Sequence, residues 1–390
     1  MGLTKAEVNY RFYNAVGGEI VFETEAQGFL HPLAVAKLIA AQARERGVRE
    51  VKILELGANN CAFAISLLKL LTTLTVHGEV ELERVDYFAV EFARRSLETF
   101  FSEQEVAGDF QNVTPGAAGS PLVGTLTRLG IPKLTLHLVH AEAGAFVRGG
   151  SGRFDVVVMN ELLDDLPCRA FYSDDDGAAY ELIPRAHEHD SGWRVEIAAE
   201  PTTEVAMPSA SLTIESPAAL AIVRGAAFLL ESGGMLLVHD YGVRERYTPL
   251  AHYEAPPRSL PDFVTLELPP ASEAGFPRSL FRIFGNAEAN VVQITTDVGF
   301  AELIAELEQS GRVITLPHGN ALLAKRESRE DLRKGDGIFL SEFVTLEPGD
   351  DLEALVARLD AEQEELWRRF ADEFLGGNPS VFADLLYVKR

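Results

Sequence analysis

The segment Val51-Lys52-Ile53-Leu54-Glu55-Leu56-Gly57-Ala58-Asn59-Asn60 is an apolar run that stops on a glycine and passes into the apolar, helix-like stretch from Cys61 to Leu71. It reads as a buried strand turning tightly into a helix, where a nucleotide-like ligand can lie against bare backbone. A second run, Tyr87-Phe88-Ala89-Val90-Glu91, ends on an acid suited to accept hydrogen bonds from the two hydroxyls of a ribose. Together the two runs point to a cofactor that carries a ribose. The turn holds one glycine where dinucleotide turns hold two or three, and Glu91 follows Gly57 by more than the roughly 20 residues of a compact dinucleotide unit. Both features weigh against a nicotinamide site.

Working outward, apolar runs alternate with amphipathic stretches from Val51 to Tyr241, the pattern of a parallel sheet covered by helices on both faces. The predicted class is therefore α/β and doubly wound. Further strands are expected at Leu134–Val139, Asp155–Met159 and Met235–His239, the last after a helix Ala218–Glu231 closed by Gly233-Gly234. Ligands bind such sheets at the carboxyl ends of the strands, where Glu55, Glu91, Glu142, Asn160, Glu161 and Asp240 fall.

Around this core, residues 1–50 read as an N-terminal helical lid with a helix Pro32–Arg46, and residues 331–390 as a helical extension. In that extension apolar residues recur at helical spacing from Leu352 to Phe374. The core, 51–330, carries three insertions that would shape an acceptor pocket, at about 102–133, 168–216 and 243–290. Ala107–Gly130 reads as a loop, Phe171–Ala199 as a hairpin with its tip at Ala186–Gly192, and Arg244–Asn290 as irregular.

With 390 residues, 47% of them apolar, the chain can bury a large core. A net charge of −24 repels a phosphate backbone and anionic lipid, which argues against nucleic acid and membrane partners and fits a cationic protein or peptide. Cys61 and Cys168 support neither a disulfide framework nor a cysteine zinc site. Met1–Tyr13 lacks a signal core, and no segment supplies the ~20 apolar residues of a membrane span. The expectation is a cytoplasmic protein, with a homodimer among its assemblies. His187, His189 and Asp190 lack a third spaced ligand, and Asp174-Asp175-Asp176-Gly177 lacks the pattern of a calcium loop, so no metal is expected. His239 reads as a hydrogen-bonded structural histidine.

The stretch Phe154-Asp155-Val156-Val157-Val158-Met159-Asn160-Glu161-Leu162-Leu163-Asp164-Asp165-Leu166-Pro167 runs a buried strand directly into an amide and a carboxylate. If Glu161–Leu166 form a helical turn, Glu161 and Asp164 share a face at i, i+3 and can address one ligand together.

These residues carry a resemblance to the MidA and mitochondrial complex I assembly factor family of S-adenosylmethionine-dependent methyltransferases. Its Asn-Glu-x-x-Asp-x-x-Pro segment is matched by Asn160–Pro167 and its Asp-Tyr-Gly by Asp240-Tyr241-Gly242. Tyr87–Phe100 resembles its Val-Glu strand and following helix, and Gln293–Phe300 its Asp-Leu-Thr-x-x-Val-Asp-Phe segment. The resemblance covers roughly residues 50 to 325 with order and spacing kept. It departs at the first turn, where Gly57-Ala58-Asn59-Asn60-Cys61-Ala62 stands in place of Gly-Pro-Gly-Arg-Gly-Thr, and the family's Gly-Asp-Phe-x-Thr is only echoed by Gly18–Thr24.

The resemblance implies a Rossmann-like class I fold and methyl transfer from S-adenosylmethionine, with arginine of a protein partner as acceptor. A small-molecule N- or O-methyltransferase and a non-catalytic assembly protein are the alternatives. Under it, Glu55, Gly57 and Ala58 face the methionyl end, Glu91 the ribose, Glu142 the adenine edge and Asn160 the transferred methyl. Asn160, Glu161 and Asp164 carry catalysis, and Asp240 and Tyr241 line the acceptor side.

Overall fold

Val51 and Ile53 are buried against one helical layer, Leu54 and Leu56 against another, so the strand they share is covered on both faces. The computed structural model describes residues 2–16, 30–76, 78–107, 110–150, 152–253, 260–269, 276–317 and 382–390. It begins with β1 (Leu3–Thr4), α1 (Lys5–Val16) and α2 (Leu30–Arg46). Next come β2 (Glu50–Leu56), α3 (Ala62–Val76), β3 (Arg84–Glu91) and α4 (Arg94–Ala107). A hairpin of β4 (Asn112–Pro115) and β5 (Leu122–Arg128) precedes β6 (Lys133–His140), α5 (Ala143–Gly149) and β7 (Phe154–Asn160). Four strands, β8 (Arg169–Ser173), β9 (Ala179–His189), β10 (Gly192–Pro201) and β11 (Ser211–Glu215), lead to α6 (Pro217–Leu229) and β12 (Leu230–Val243). The remainder is β13 (Thr248–Pro249), β14 (Val264–Glu267), β15 (Phe281–Asn286), β16 (Val291–Thr296), β17 (Val298–Gly299), α7 (Phe300–Glu308), β18 (Gly311–Pro317) and β19 (Phe382–Lys389).

The main sheet runs β18-β19-β12-β7-β2-β3-β6-β5-β4. Its centre, from β12 to β6, is parallel. The chain winds from β2 outward through β3 to β6, then crosses back to β7 on the other side of β2. The gap between β2 and β7 is therefore the switch point at which ligands bind. Residues of α2, α3 and α4 cover one face and residues of α5, α6 and α7 the other. A second sheet, β13-β11-β8-β9-β10-β14, stands beyond the carboxyl edge of the first, and β15 and β16 form a separate pair. No helix among the described residues is long and apolar enough to cross a membrane.

Three expectations are corrected. The stretch read as a loop over Ala107–Gly130 holds the hairpin β4–β5, which extends the sheet antiparallel from β6; Val113, Val123 and Leu126 give it a side packed on the core that its Gly, Ser and Thr content obscured. The helix expected at Pro32–Arg46 exists as α2, but Val35, Ala36, Ile39, Ala40 and Ala43 are packed into the core on α3, and the ligand edge is lined by α1, with α2 reaching it through His31 at its start. Finally, the extension expected to be helical contains β19, which pairs antiparallel with both β12 and β18. A strand inserted between two others must be apolar on both sides, and Phe382-Ala383-Asp384-Leu385-Leu386-Tyr387-Val388 is close to that pattern. The helix expected at Leu352–Phe374 lies outside the described residues.

Leu385 is 1% exposed within the layer formed with α7. Leu385→Ala is expected to cost about 3 kcal/mol of unfolding free energy in urea titration; a cost under about 1 kcal/mol would mean that this strand is not inserted in the sheet.

Candidate active site

Gly57 ends β2 with φ +78°, a conformation that side chains resist, and a Cβ there would stand 3.0 Å from Leu162 Cδ1. The turn folds against β3 because the amides of Gly57 and Ala58 both donate to the carbonyl of Val90, at 2.9 and 3.1 Å. Asn59 and Cys61 also have positive φ, which Asn tolerates well and Cys less so. Glu91 is buried at the end of β3, where its carboxylate accepts hydrogen bonds from the amides of Asn59 (2.9 Å) and Ala93 (2.8 Å). A carboxylate has about four acceptor sites, so the acid braces the turn and keeps capacity for a ligand.

The facing wall is the segment that leaves β7. Glu161 takes φ +48° and donates its amide to the carbonyl of His239 at 2.7 Å. Asp240 then accepts from the amides of Leu163 (2.7 Å), Asp164 (3.3 Å) and Tyr241 (2.9 Å). The expected helical turn is absent, since these bonds pull Glu161–Asp165 sideways onto β12. Glu161 and Asp164 nonetheless both reach the cavity. Asp240 is corrected as an acceptor-side residue: it is 1% exposed, faces the backbone and is not part of the cavity wall. Tyr241 does line it, with the Arg282 guanidinium 4.3 Å from its ring centre. Arg282 is held by Asp297 at 2.5 Å, and Asp297 in turn accepts from the Tyr253 hydroxyl at 2.9 Å.

The third wall went unread in the sequence. Lys5, Asn9 and Tyr13 stand at i, i+4 and i+8 on α1 and so share one face. The buried Lys5 ammonium donates to the carbonyls of Asp164 and Leu166 (the latter at 3.0 Å) and to Thr296 Oγ1 at 2.6 Å. Asn9 donates to Asp165 Oδ1 (3.0 Å) and to the Ile294 carbonyl (2.9 Å), and accepts from the Ile294 amide (2.9 Å). Tyr13 donates to Asp165, which also receives Gln293 Nε2 at 2.7 Å.

The three walls enclose a cavity of about 420 Å³ at the β2–β7 switch point. Of the residues singled out in the sequence, Glu55, Gly57, Ala58, Glu91, Glu142, Asn160, Glu161, Asp164 and Tyr241 line it. Asn9, Tyr10, Tyr13, Phe92, Asp165 and Gln293 line it as well without having been singled out; the polar i, i+4, i+8 stripe of α1 was the available signal for the first wall. Asn160 Oδ1 lies 2.9 Å from His31 Nε2, while its Nδ2 is buried with no partner. Buried amides are nearly always satisfied, so Nδ2 marks a place where a ligand acceptor fits.

Burial dominates the titration of the acids. It raises Glu55 to about 8, against the opposing hydrogen bond from the Tyr87 hydroxyl at 2.8 Å and with help from Glu91. It raises Asp240 to about 8 although the Leu163 amide stabilises the ionised form. Asp164 is pushed well above the usual carboxylate range by burial and then by Asp240, and burial also raises Glu91 and Asp165. Among the described residues no cluster of three His, Cys, Asp or Glu could hold a metal ion. His187 and His189 sit on β9, away from the cavity lining.

No protein-family model matches the chain, and no curated protein does. Among solved structures, an uncharacterized COG1565 superfamily protein from Burkholderia thailandensis is similar over 100% of this chain and 87% of its own, with 17% identity and a TM-score of 0.53. A second COG1565 superfamily member from Burkholderia thailandensis, crystallised with S-adenosyl-homocysteine, aligns over 99% of this chain and 78% of its own, at 17% identity and a TM-score of 0.45. The first likeness establishes a shared fold, and the doubly wound, Rossmann-like class expected from the sequence is the one observed.

Between pH 4.5 and about 8 the folded chain keeps the Glu55 proton that the unfolded chain gives up, so this group's contribution to stability declines as pH rises through that window. Glu55→Gln removes the decline. The unfolding free energy of the variant relative to the wild type is expected to grow from pH 5 to 8, by at most about 1.4 kcal/mol per pH unit; a pH-independent difference in chemical denaturation would refute the shift. Separately, Lys5→Met strands the carbonyls of Asp164 and Leu166 and should destabilise by about 3 kcal/mol; an unchanged melting temperature would show that α1 is not fastened to this wall.

Proposed function

We propose that the chain is a class I S-adenosylmethionine-dependent methyltransferase. The observation that carries the reading is the meeting, at one switch-point cavity, of the left-handed Gly57 turn, the Glu91 carboxylate and the unpartnered amide of Asn160. A cavity of about 420 Å³ lies in the range of small-molecule and cofactor sites. Glu55, Gly57 and Ala58 would hold the methionyl end, Glu91 the ribose, Glu142 the adenine edge, and Asn160 would lie beside the reacting centre. When bound, the cofactor supplies an electrophilic methyl group carried on a sulfonium.

The acceptor in this reading is a cationic nitrogen, with an arginine of a protein partner as the leading case. Glu161, Asp164 and Asp165 form the acidic part of the wall, and carboxylates orient a guanidinium through charge-assisted hydrogen bonds. A carboxylate beside the acceptor also takes up the proton that the nitrogen sheds as it gains a bond. The raised pKa values mean that a bound cation would ionise these acids, so acceptor binding should release protons. A second reading, a binding or assembly protein on the same scaffold, draws on the share of Glu91 already given to Asn59 and Ala93.

S-adenosyl-homocysteine, the ligand of the Burkholderia superfamily member, is the natural probe. Calorimetric titration is expected to give binding that Asn160→Ala weakens about tenfold, equivalent to ~1.4 kcal/mol, and that NAD does not displace. Absence of binding to the wild-type chain would favour the assembly protein, and displacement by NAD would favour an oxidoreductase.

A further inference from the structure

Six acids line the cavity, Glu55, Glu91, Glu142, Glu161, Asp164 and Asp165, and among its lining residues there is a single cation, Arg148. In a chain of net charge −24 an arginine has no shortage of acids to pair with. Yet no hydrogen bond or ion pair to the Arg148 side chain is present among the described residues. Its guanidinium folds back one turn of α5 over Gly144. A Cβ on Gly144 would stand 3.2 Å from Nη1 and 4.0 Å from Cζ of Arg148, and 3.8 Å from Ile222 Cγ1. The guanidinium thus lies against a patch of helix that carries no side chain, next to Ala143 and Ile222, and borders the cavity.

Position decides which part of a ligand it meets. In the proposed reading the methionyl end lies at the Gly57 turn after β2, whereas α5 follows β6, two strands away across β3. At the ordinary strand spacing that is roughly 10 Å, so Arg148 faces the end of a ligand remote from the turn. A planar guanidinium without an acid partner, at the border of a cavity, is suited to stack on an aromatic heterocycle.

We infer that Arg148 stacks on the purine base of the cofactor, and so selects an adenosyl ligand by its base. This rests on the methyltransferase reading. The test is calorimetric titration of S-adenosyl-homocysteine and, separately, adenosine into wild type, Arg148→Ala and Arg148→Lys. Arg148→Ala is expected to weaken both ligands by the same factor, about tenfold, and Arg148→Lys, which keeps the charge but loses the plane, is expected to restore neither. Unchanged affinity in Arg148→Ala would overturn the inference and leave the methyltransferase reading standing. So would rescue by Arg148→Lys with adenosine unaffected, because Arg148 would then be a charge partner of the ligand's carboxylate. A wild-type chain that binds neither ligand would remove the methyltransferase reading itself.

Discussion

The loop that leaves β7 is held from both sides by two buried side chains of opposite hydrogen-bonding character. On one side the buried Asp240 carboxylate accepts from the amides of Leu163 and Asp164. On the other, the Lys5 ammonium donates to the carbonyls of Asp164 and Leu166. An irregular loop in a protein interior must satisfy each backbone donor and acceptor without the help of a helix or a sheet. Here a carboxyl group takes its donors and an ammonium takes its acceptors, which fixes the positions of Glu161, Asp164 and Asp165 around the cavity. The strained conformation of Glu161 is sustained by the same bonds, as local strain persists only where the surroundings over-determine it.

The price of this construction is a set of acids removed from water. Each is stabilised by specific donors, Tyr87 for Glu55, Asn59 and Ala93 for Glu91, and Tyr13 and Gln293 for Asp165. Desolvation still outweighs these bonds, so the cavity holds protons more tightly than its sequence would suggest. A cationic ligand that enters meets acids in part neutral, and its charge shifts their ionisation. Affinity for a cation and proton release are therefore linked through the same groups.

How much of this was legible depended on whether a feature was local. The parallel core could be read because its strands are covered on both faces and appear as unbroken apolar runs. Gly57, Glu91 and Asn160 could be placed because the ends of such strands converge on one edge of the sheet. Asp240 comes just after the last residue of β12 that pairs with β7, and only the sideways course of Glu161–Asp165 sets its carboxylate on the backbone instead of in the cavity. Lys5, Asn9 and Tyr13 went unread, because their partners lie more than a hundred residues away. The hairpin β4–β5 and strand β19 were missed for a related reason: their strand character comes from the neighbours they pair with, to which composition is nearly blind.

The place of β19 has a consequence for how the molecule is made. It lies between β12 and β18, yet roughly 140 residues separate the end of β12 from its start. At a synthesis rate of about 5–20 residues per second, β12 emerges from the ribosome about 7–30 seconds before its antiparallel neighbour. During that interval the nascent sheet ends in a long, mostly apolar strand with open hydrogen-bonding groups, the kind of edge that recruits foreign strands. The parallel half of the sheet can be assembled early, but its β12 edge stays uncapped until residues 382–389 arrive, which makes this edge the point where a folding chain most needs protection from its neighbours.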